Sequence, residues 1–207
     1  MSIYVGIDPG RTGAVALYSP GCMGIPEWWR VADWSGHVRD LDRILRPVIA
    51  GPGVARLVVE WQPTRPGQPP RVALWLGAII GRVQGYAQAL GVRVAYADPR
   101  RWVHWIERRW GCVAVAAPKR ARLAAVQDLW PDAPVHGPRG GYLDDRGDAI
   151  LLAAYGRDEM GPDFRPPLLA GVIVPDQRGG LPGPAAMRLA GYHVSEEVEG
   201  GGPALCP

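Results

Sequence analysis

Apolar and polar positions along the chain switch repeatedly between two periods. Residues Ile3–Ile7 alternate and are rich in β-formers, Asp8-Pro9-Gly10 is a turn signal, and Gly13–Tyr18 is again strand-like. That pattern predicts a β-hairpin closed by a glycine-containing loop. A second turn at Ser19–Gly24 leads into Trp28–Trp34, a third strand of the same meander. Past Ser35-Gly36 the spacing changes. Val38, Leu41, Ile44, Leu45 and Val48 recur at three- and four-residue steps, the period of a helix. Pro47 sits late in that run, where it is expected to kink or end the helix.

The strand pattern returns at Ala55–Glu60, a short apolar run that ends abruptly in a carboxylate. Pro63–Pro70, with four prolines and a glycine, reads as a loop. Val72–Leu90 is a long helical pattern with Val72, Trp75, Leu76, Ile79, Val83, Tyr86 and Leu90 on one face. Gly77, Gly81 and Gly85 form a second stripe at four-residue steps, suited to packing on the helix's own sheet or on a partner helix. Val92–Ala97 predicts another strand. Asp98-Pro99 then opens a helix over Pro99–Trp110, with proline at its first position. The same signal starts Pro118–Leu129, and a last helix follows over Leu143–Tyr155. Beyond Gly156 glycine and proline become frequent, and only Leu168–Val174 and Pro184–Leu189 keep any pattern. The expected organisation is an α/β domain over residues 1–157 and a partly ordered extension over 158–207. An opening meander followed by alternating strands and helices predicts a mixed sheet with helices on both faces.

With 207 residues and 47% apolar content, the chain can build one sizeable core. Its apolar runs are too short to span a membrane, and its N-terminus lacks the pattern of a signal peptide. Cys22, Cys112 and Cys206 are odd in number and irregularly spaced, as expected of free thiols in a reducing cytoplasm. The net charge of +3 says little about partners, but the cations themselves are skewed: Lys119 is the one lysine, and arginine supplies the other 22 basic residues. GC-rich coding bias or a warm host accounts for most of the arginine excess, and against it the single lysine is conspicuous. Nine tryptophans serve a core or stack on bases, and composition does not separate the two.

Asp8 ends the first strand, Glu60 ends the fourth, and Asp145 and Asp148 lie three apart at the start of the last helix. Each has an ordinary explanation: a turn for Asp8, solvation for Glu60, helix capping for Asp144 or Asp145. If the first and fourth strands are parallel neighbours, Asp8 and Glu60 emerge side by side. Carboxylates converging there repel one another unless a cation lies among them. Hard oxygen donors favour Mg²⁺, with Mn²⁺ as substitute, and two such ions ~4 Å apart suit phosphodiester hydrolysis.

Gly6-Ile7-Asp8-Pro9-Gly10-Arg11-Thr12-Gly13-Ala14 resembles the first motif of the RuvC-type Holliday junction resolvases, members of the RNase H-like superfamily. Leu57-Val58-Val59-Glu60 resembles their second motif, and Asp145-Arg146-Gly147-Asp148-Ala149 their third. Tyr96–Trp102 followed by Ala117-Pro118-Lys119 resembles the segment that carries a DNA-facing lysine. The resemblance covers roughly residues 3–157. It implies an RNase H-like five-stranded sheet and a homodimer that nicks two opposed strands of a four-way junction, leaving 5′-phosphate and 3′-hydroxyl ends. It implies two metal ions held by Asp8, Glu60, Asp148 and Asp145, with Asp144 left open as an alternative to Asp145, and Lys119 beside the scissile phosphate.

Arg65, Arg71, Arg100, Arg101, Arg120 and Arg122 are candidates for a phosphate-binding rim, since the guanidinium fork matches phosphate oxygens. Arg11 and Thr12 of the first motif join them. Trp61 or Trp75 is a candidate for the residue that probes the junction centre.

Other readings remain at this point. An actin-like phosphotransferase needs a second lobe for which the length leaves no room. A non-catalytic binder of DNA structures is expected to have lost an acid. Another RNase H-like nuclease, acting on RNA–DNA hybrids, flaps or single strands, shares the same carboxylates.

Overall fold

The computed structural model describes residues 2–10, 12–21, 27–49, 54–62, 67–111 and 118–159. Their elements follow the predicted order: β1 (Ser2–Asp8), β2 (Ala14–Ser19), β3 (Trp28–Asp33), α1 (Val38–Ile49), β4 (Val54–Glu60), α2 (Pro70–Ala89), β5 (Arg93–Ala97), α3 (Pro99–Trp110), α4 (Pro118–Leu129) and α5 (Asp144–Glu159). The expected extension from residue 158, the three cysteines, Arg11 and Arg65 lie outside the described residues, apart from Asp158 and Glu159 at the end of α5.

The five strands form one sheet in the order β3-β2-β1-β4-β5. β1, β2 and β3 are antiparallel, whereas β4 runs parallel to β1 and β5 parallel to β4. This is a mixed five-stranded sheet, as the alternation of strands and helices along the chain predicted. A parallel β1–β4 pair requires a crossover, and α1, which contacts β4 and α2, lies within it.

Side-chain alternation divides the core into two layers. Ile3, Val5, Ile7, Val15, Leu17, Leu57 and Val59 point to one face, where they pack with Leu41, Ile44 and Leu45 of α1 and Ile79, Val83 and Ala87 of α2. Tyr4, Ala14, Ala16, Tyr18 and Val58 point to the other, against α5 and residues of α3 and α4. α5 is the central helix: every residue from Gly147 to Gly156 is buried. Gly6 is what lets it come so close. A Cβ at Gly6 would lie 2.0 Å from the Ala149 carbonyl oxygen, so only glycine admits the helix backbone onto β1.

α1 runs through Pro47 to Ile49, so the proline does not end the helix where it stands. One local expectation is corrected. In α2 the buried stripe is Leu76, Ile79, Ile80, Val83 and Ala87, rotated from the expected one, with Leu90 exposed and Trp75 and Tyr86 only part-buried. A helix lying over the twisted sheet buries a narrower stripe than its apolar content suggests. Gly77, Gly81 and Gly85 are exposed, and a Cβ at any of them would meet nothing within 4 Å.

Candidate active site

Alternation decides which acids meet. Asp8 shares the face of Gly6, and Glu60 shares the face of Val58, so both carboxylates point toward α5. The pairs Gly6–Val58 and Ile7–Val59 bring the C-terminal ends of β1 and β4 level. α5 starts at that same end, so its first turns deliver Asp144, Asp145 and Asp148 to the two strand-end acids.

Asp8 is buried, and its carboxyl is pushed up to about 7. Burial is the largest cause, followed by the charges of Glu60 and Asp145; the Gly10 amide and Arg122 act in the opposite direction. The Gly10 N–H donates to Asp8 Oδ1 at 3.1 Å. Asp148 is also buried and its carboxyl lies well above the ordinary range, first through desolvation and then through Asp8, Glu60 and Asp144, with Arg122 opposing. Each of these two acids therefore feels the charge of Glu60 and of at least one acid from α5 or β1. Glu60 is held from two sides: Trp102 Nε1 donates to Oε1 at 3.2 Å, and Gln62 Nε2 donates to Oε2 at 2.8 Å.

The remaining acids have individual partners. Thr12 Oγ1 donates to Asp145 Oδ2 at 2.6 Å, which ties the β1–β2 loop to α5. Lys119 Nζ lies 2.6 Å from Asp144 Oδ2, and Arg122 Nη1 lies 2.6 Å from Asp148 Oδ2. The lysine expected at the scissile phosphate thus faces Asp144, the acid left open as the alternative to Asp145. Arg146 forks onto Asp33 at the end of β3, with bonds of 2.6 and 2.7 Å, and donates to the Pro134 carbonyl, fixing the start of α5.

Four buried side-chain polar atoms among the described residues have no partner, and three of them belong to Tyr142, Asp144 and Asp148. The Tyr142 ring lies over Gly147, where a Cβ would stand 1.8 Å from its hydroxyl oxygen. Burial, Asp148 and Asp144 all push the Tyr142 hydroxyl up, so it is a neutral donor beside the acids. Orphaned carboxylate oxygens in a buried acidic cluster have the donor chemistry of a hard divalent cation and its water. No three histidine, cysteine or acidic side chains of the described residues are already arranged as a preformed cage. Instead Asp144 and Asp148 are turned to the cations of α4, and Asp145 to Thr12.

The other expected contacts are dispersed. Arg71, Arg100, Arg101 and Arg120 are exposed. Trp61 stacks edge-on against Tyr96 at 5.7 Å, and Trp75 packs with the α1/α2 layer. Sequence reasoning missed Trp102, Gln62 and Tyr142. Gln62, two residues past Glu60, carried the only local signal, since period 2 sends both to one face.

No family model matches the chain, and no curated protein matches it. Among solved structures, it is similar to RuvC of T. thermophilus in complex with a Holliday junction substrate, at 20% identity and a TM-score of 0.46, over 78% of this chain and 97% of that one. A second structure of Thermus thermophilus RuvC is similar at 21% identity and a TM-score of 0.46, over 74% of this chain and 94% of that one.

Proposed function

We propose that the protein is a metal-dependent endonuclease that cuts branched DNA, with a four-way junction as its preferred substrate. One observation carries this reading: acids from β1, β4 and α5 meet at one end of the sheet, two of them buried, with orphaned oxygens on Asp144 and Asp148. Such a cluster costs stability, so its support is chemical rather than structural. Asp8, Glu60 and Asp148 would hold divalent ions, Mg²⁺ or Mn²⁺, with Asp145 or Asp144 completing the set. Bound there, the ions would supply positive charge to a phosphodiester and lower the pKa of a water.

The chain's own groups orient this site. Trp102 and Gln62 fix the Glu60 carboxylate, and the Gly10 amide fixes Asp8. Arg146 and Thr12 set the rotation of α5 and hence the direction of Asp145 and Asp148. The Tyr142 ring lies against Gly147, beside the acids at the start of α5. Arg71, Arg100, Arg101 and Arg120 offer exposed guanidinium groups for phosphates outside the cluster. The exposed stripe of Gly77, Gly81 and Gly85, with Leu74 exposed on the same side of α2, suits close approach of a second copy, and a dimer would present two such sites to opposed strands.

The test is a labelled four-way junction incubated with the protein and Mg²⁺, beside duplexes, flaps and RNA–DNA hybrids. Symmetric paired nicks confined to the junction are expected. Asp8→Asn should lower cleavage by about 100-fold or more while junction binding stays intact or tightens, since a negative charge near phosphate is removed. Cutting by Asp8→Asn at the normal rate would sink the assignment. Preferential cutting of hybrids would move the protein to another RNase H-like activity.

A further inference from the structure

Arg122 occupies an unusual position for a residue expected to contact DNA. Its Nη1 lies 2.6 Å from Asp148 Oδ2, and only a quarter of its side chain is exposed. Its guanidinium carbon stands 5.0 Å from the centre of the Trp102 ring. That ring is fully buried and is pinned by its own bond to Glu60. Arg122 therefore rests on a buried ring that is bonded to one candidate ligand, Glu60, and reaches across to another, Asp148. Asp148 is left with one oxygen capped by Arg122 and the other, Oδ1, buried and without a partner. One turn earlier on α4, Lys119 caps Asp144 in the same way, but three-quarters of its side chain is exposed.

A divalent ion at Asp148 would meet a fixed guanidinium charge on the same carboxylate. Two cations so close in a poorly solvated site repel strongly. Arg122 has somewhere better to go once a nucleic acid arrives, because its planar fork binds phosphate oxygens with two parallel bonds. We propose that Arg122 is a resident competitor of the divalent ion at Asp148 and moves onto a backbone phosphate when DNA binds, so that metal loading is coupled to substrate. This inference rests on the nuclease reading and assigns that site its regulation. The site stays weakly loaded while no polyanion is bound, which guards against indiscriminate hydrolysis.

Mn²⁺ binding to the full chain, followed by the loss of the free-ion spin-resonance signal, tests this without reference to activity. For the wild type, a four-way junction should tighten Mn²⁺ binding by about tenfold, after subtraction of the ion held by the junction alone. Arg122→Gln should bind Mn²⁺ about tenfold more tightly than the wild type in the absence of DNA, and the junction should then add little. Arg122→Lys, which keeps the charge, should stay close to the wild type. Mn²⁺ affinity of the wild type that is indifferent to the junction would overturn the inference, whether or not the glutamine variant folds. So would a folded Arg122→Gln with unchanged or weaker affinity. If the wild type binds no Mn²⁺ with or without DNA, the metal-dependent reading itself falls.

Discussion

On the α1/α2 side of the sheet, the odd-numbered residues of β1 and β4, Ile3, Val5, Ile7, Leu57 and Val59, lie among apolar side chains to the very end of each strand. On the α5 side the same strands pass from Gly6 and Val58 to Asp8 and Glu60 within one alternation. Both layers come from the same backbone and differ only in side-chain parity. The first layer is made for stability. The second carries a cluster of like charges at its end, held in place by the close fit of α5. The difference shows how a fold can accommodate an unfavourable site: the favourable packing lies on the opposite face and along the rest of α5.

The largest break in that comparison should come at Gly6. Gly6→Ala would drive a methyl into the α5 backbone and is expected to destabilise the protein by about 3 kcal/mol or more. Val5→Ala, one residue away on the other face, should cost about 1–3 kcal/mol by leaving a cavity. Denaturant unfolding of both variants checks the order; equal losses would mean that α5 does not depend on that close approach.

The charged end of the α5 layer should show itself in pH. The Asp8 carboxyl is raised from 3.8 to about 7, so between those values the folded chain holds a proton that the unfolded chain has released. Stability from this group is therefore full below pH ~4 and is lost as the pH rises through ~7, a change on the order of 4 kcal/mol at most. Without divalent ions, the melting temperature should be higher near pH 5.5 than near pH 8. Asp8→Asn should flatten that difference, and a profile unchanged by the substitution would remove Asp8 as its source.

A smaller effect on stability, but a visible one on function, is expected at the β3–α5 clamp. Asp33 is largely exposed, so Asp33→Ala should cost under about 1 kcal/mol. Because the clamp sets the start of α5, kcat for the proposed junction cleavage should fall by about tenfold with KM little changed. An unaltered kcat would mean that the acids are oriented without it.

The smallest change in monomer stability belongs to the quiet side, at the outer stripe of α2. Gly81→Leu meets open space within the chain and should leave the fold intact, or stabilise it by up to about 1 kcal/mol through helix propensity. In the proposed dimer the same change should block close helix approach and yield monomers at micromolar concentration by sedimentation. A dimer that survives it uses another surface.

The order of elements, the helix bounds at Pro99–Trp110 and Pro118–Leu129, and the placement of Asp8 and Glu60 at strand ends were all legible in the sequence, because period, proline and glycine signals are local. So was the expectation that Asp145 and Asp148 share the start of a helix. The partners of these acids were not. Lys119 lies 25 residues before Asp144, and Trp102 lies 42 residues after Glu60, so no spacing rule connects them. Arg122 read as one of several phosphate candidates because a sequence gives an arginine its charge but not its neighbours.

What the sequence alone determined is the alternation that sends Gly6, Asp8, Val58 and Glu60 to one face, since a strand's period is a property of its own backbone. Only the tertiary structure decided which helix covers that face, which acids become buried, and which cations reach them. Burial and Coulomb interaction depend on distances between segments far apart in the chain. Those distances exist only once β1 and β4 have paired and α5 has settled against Gly6.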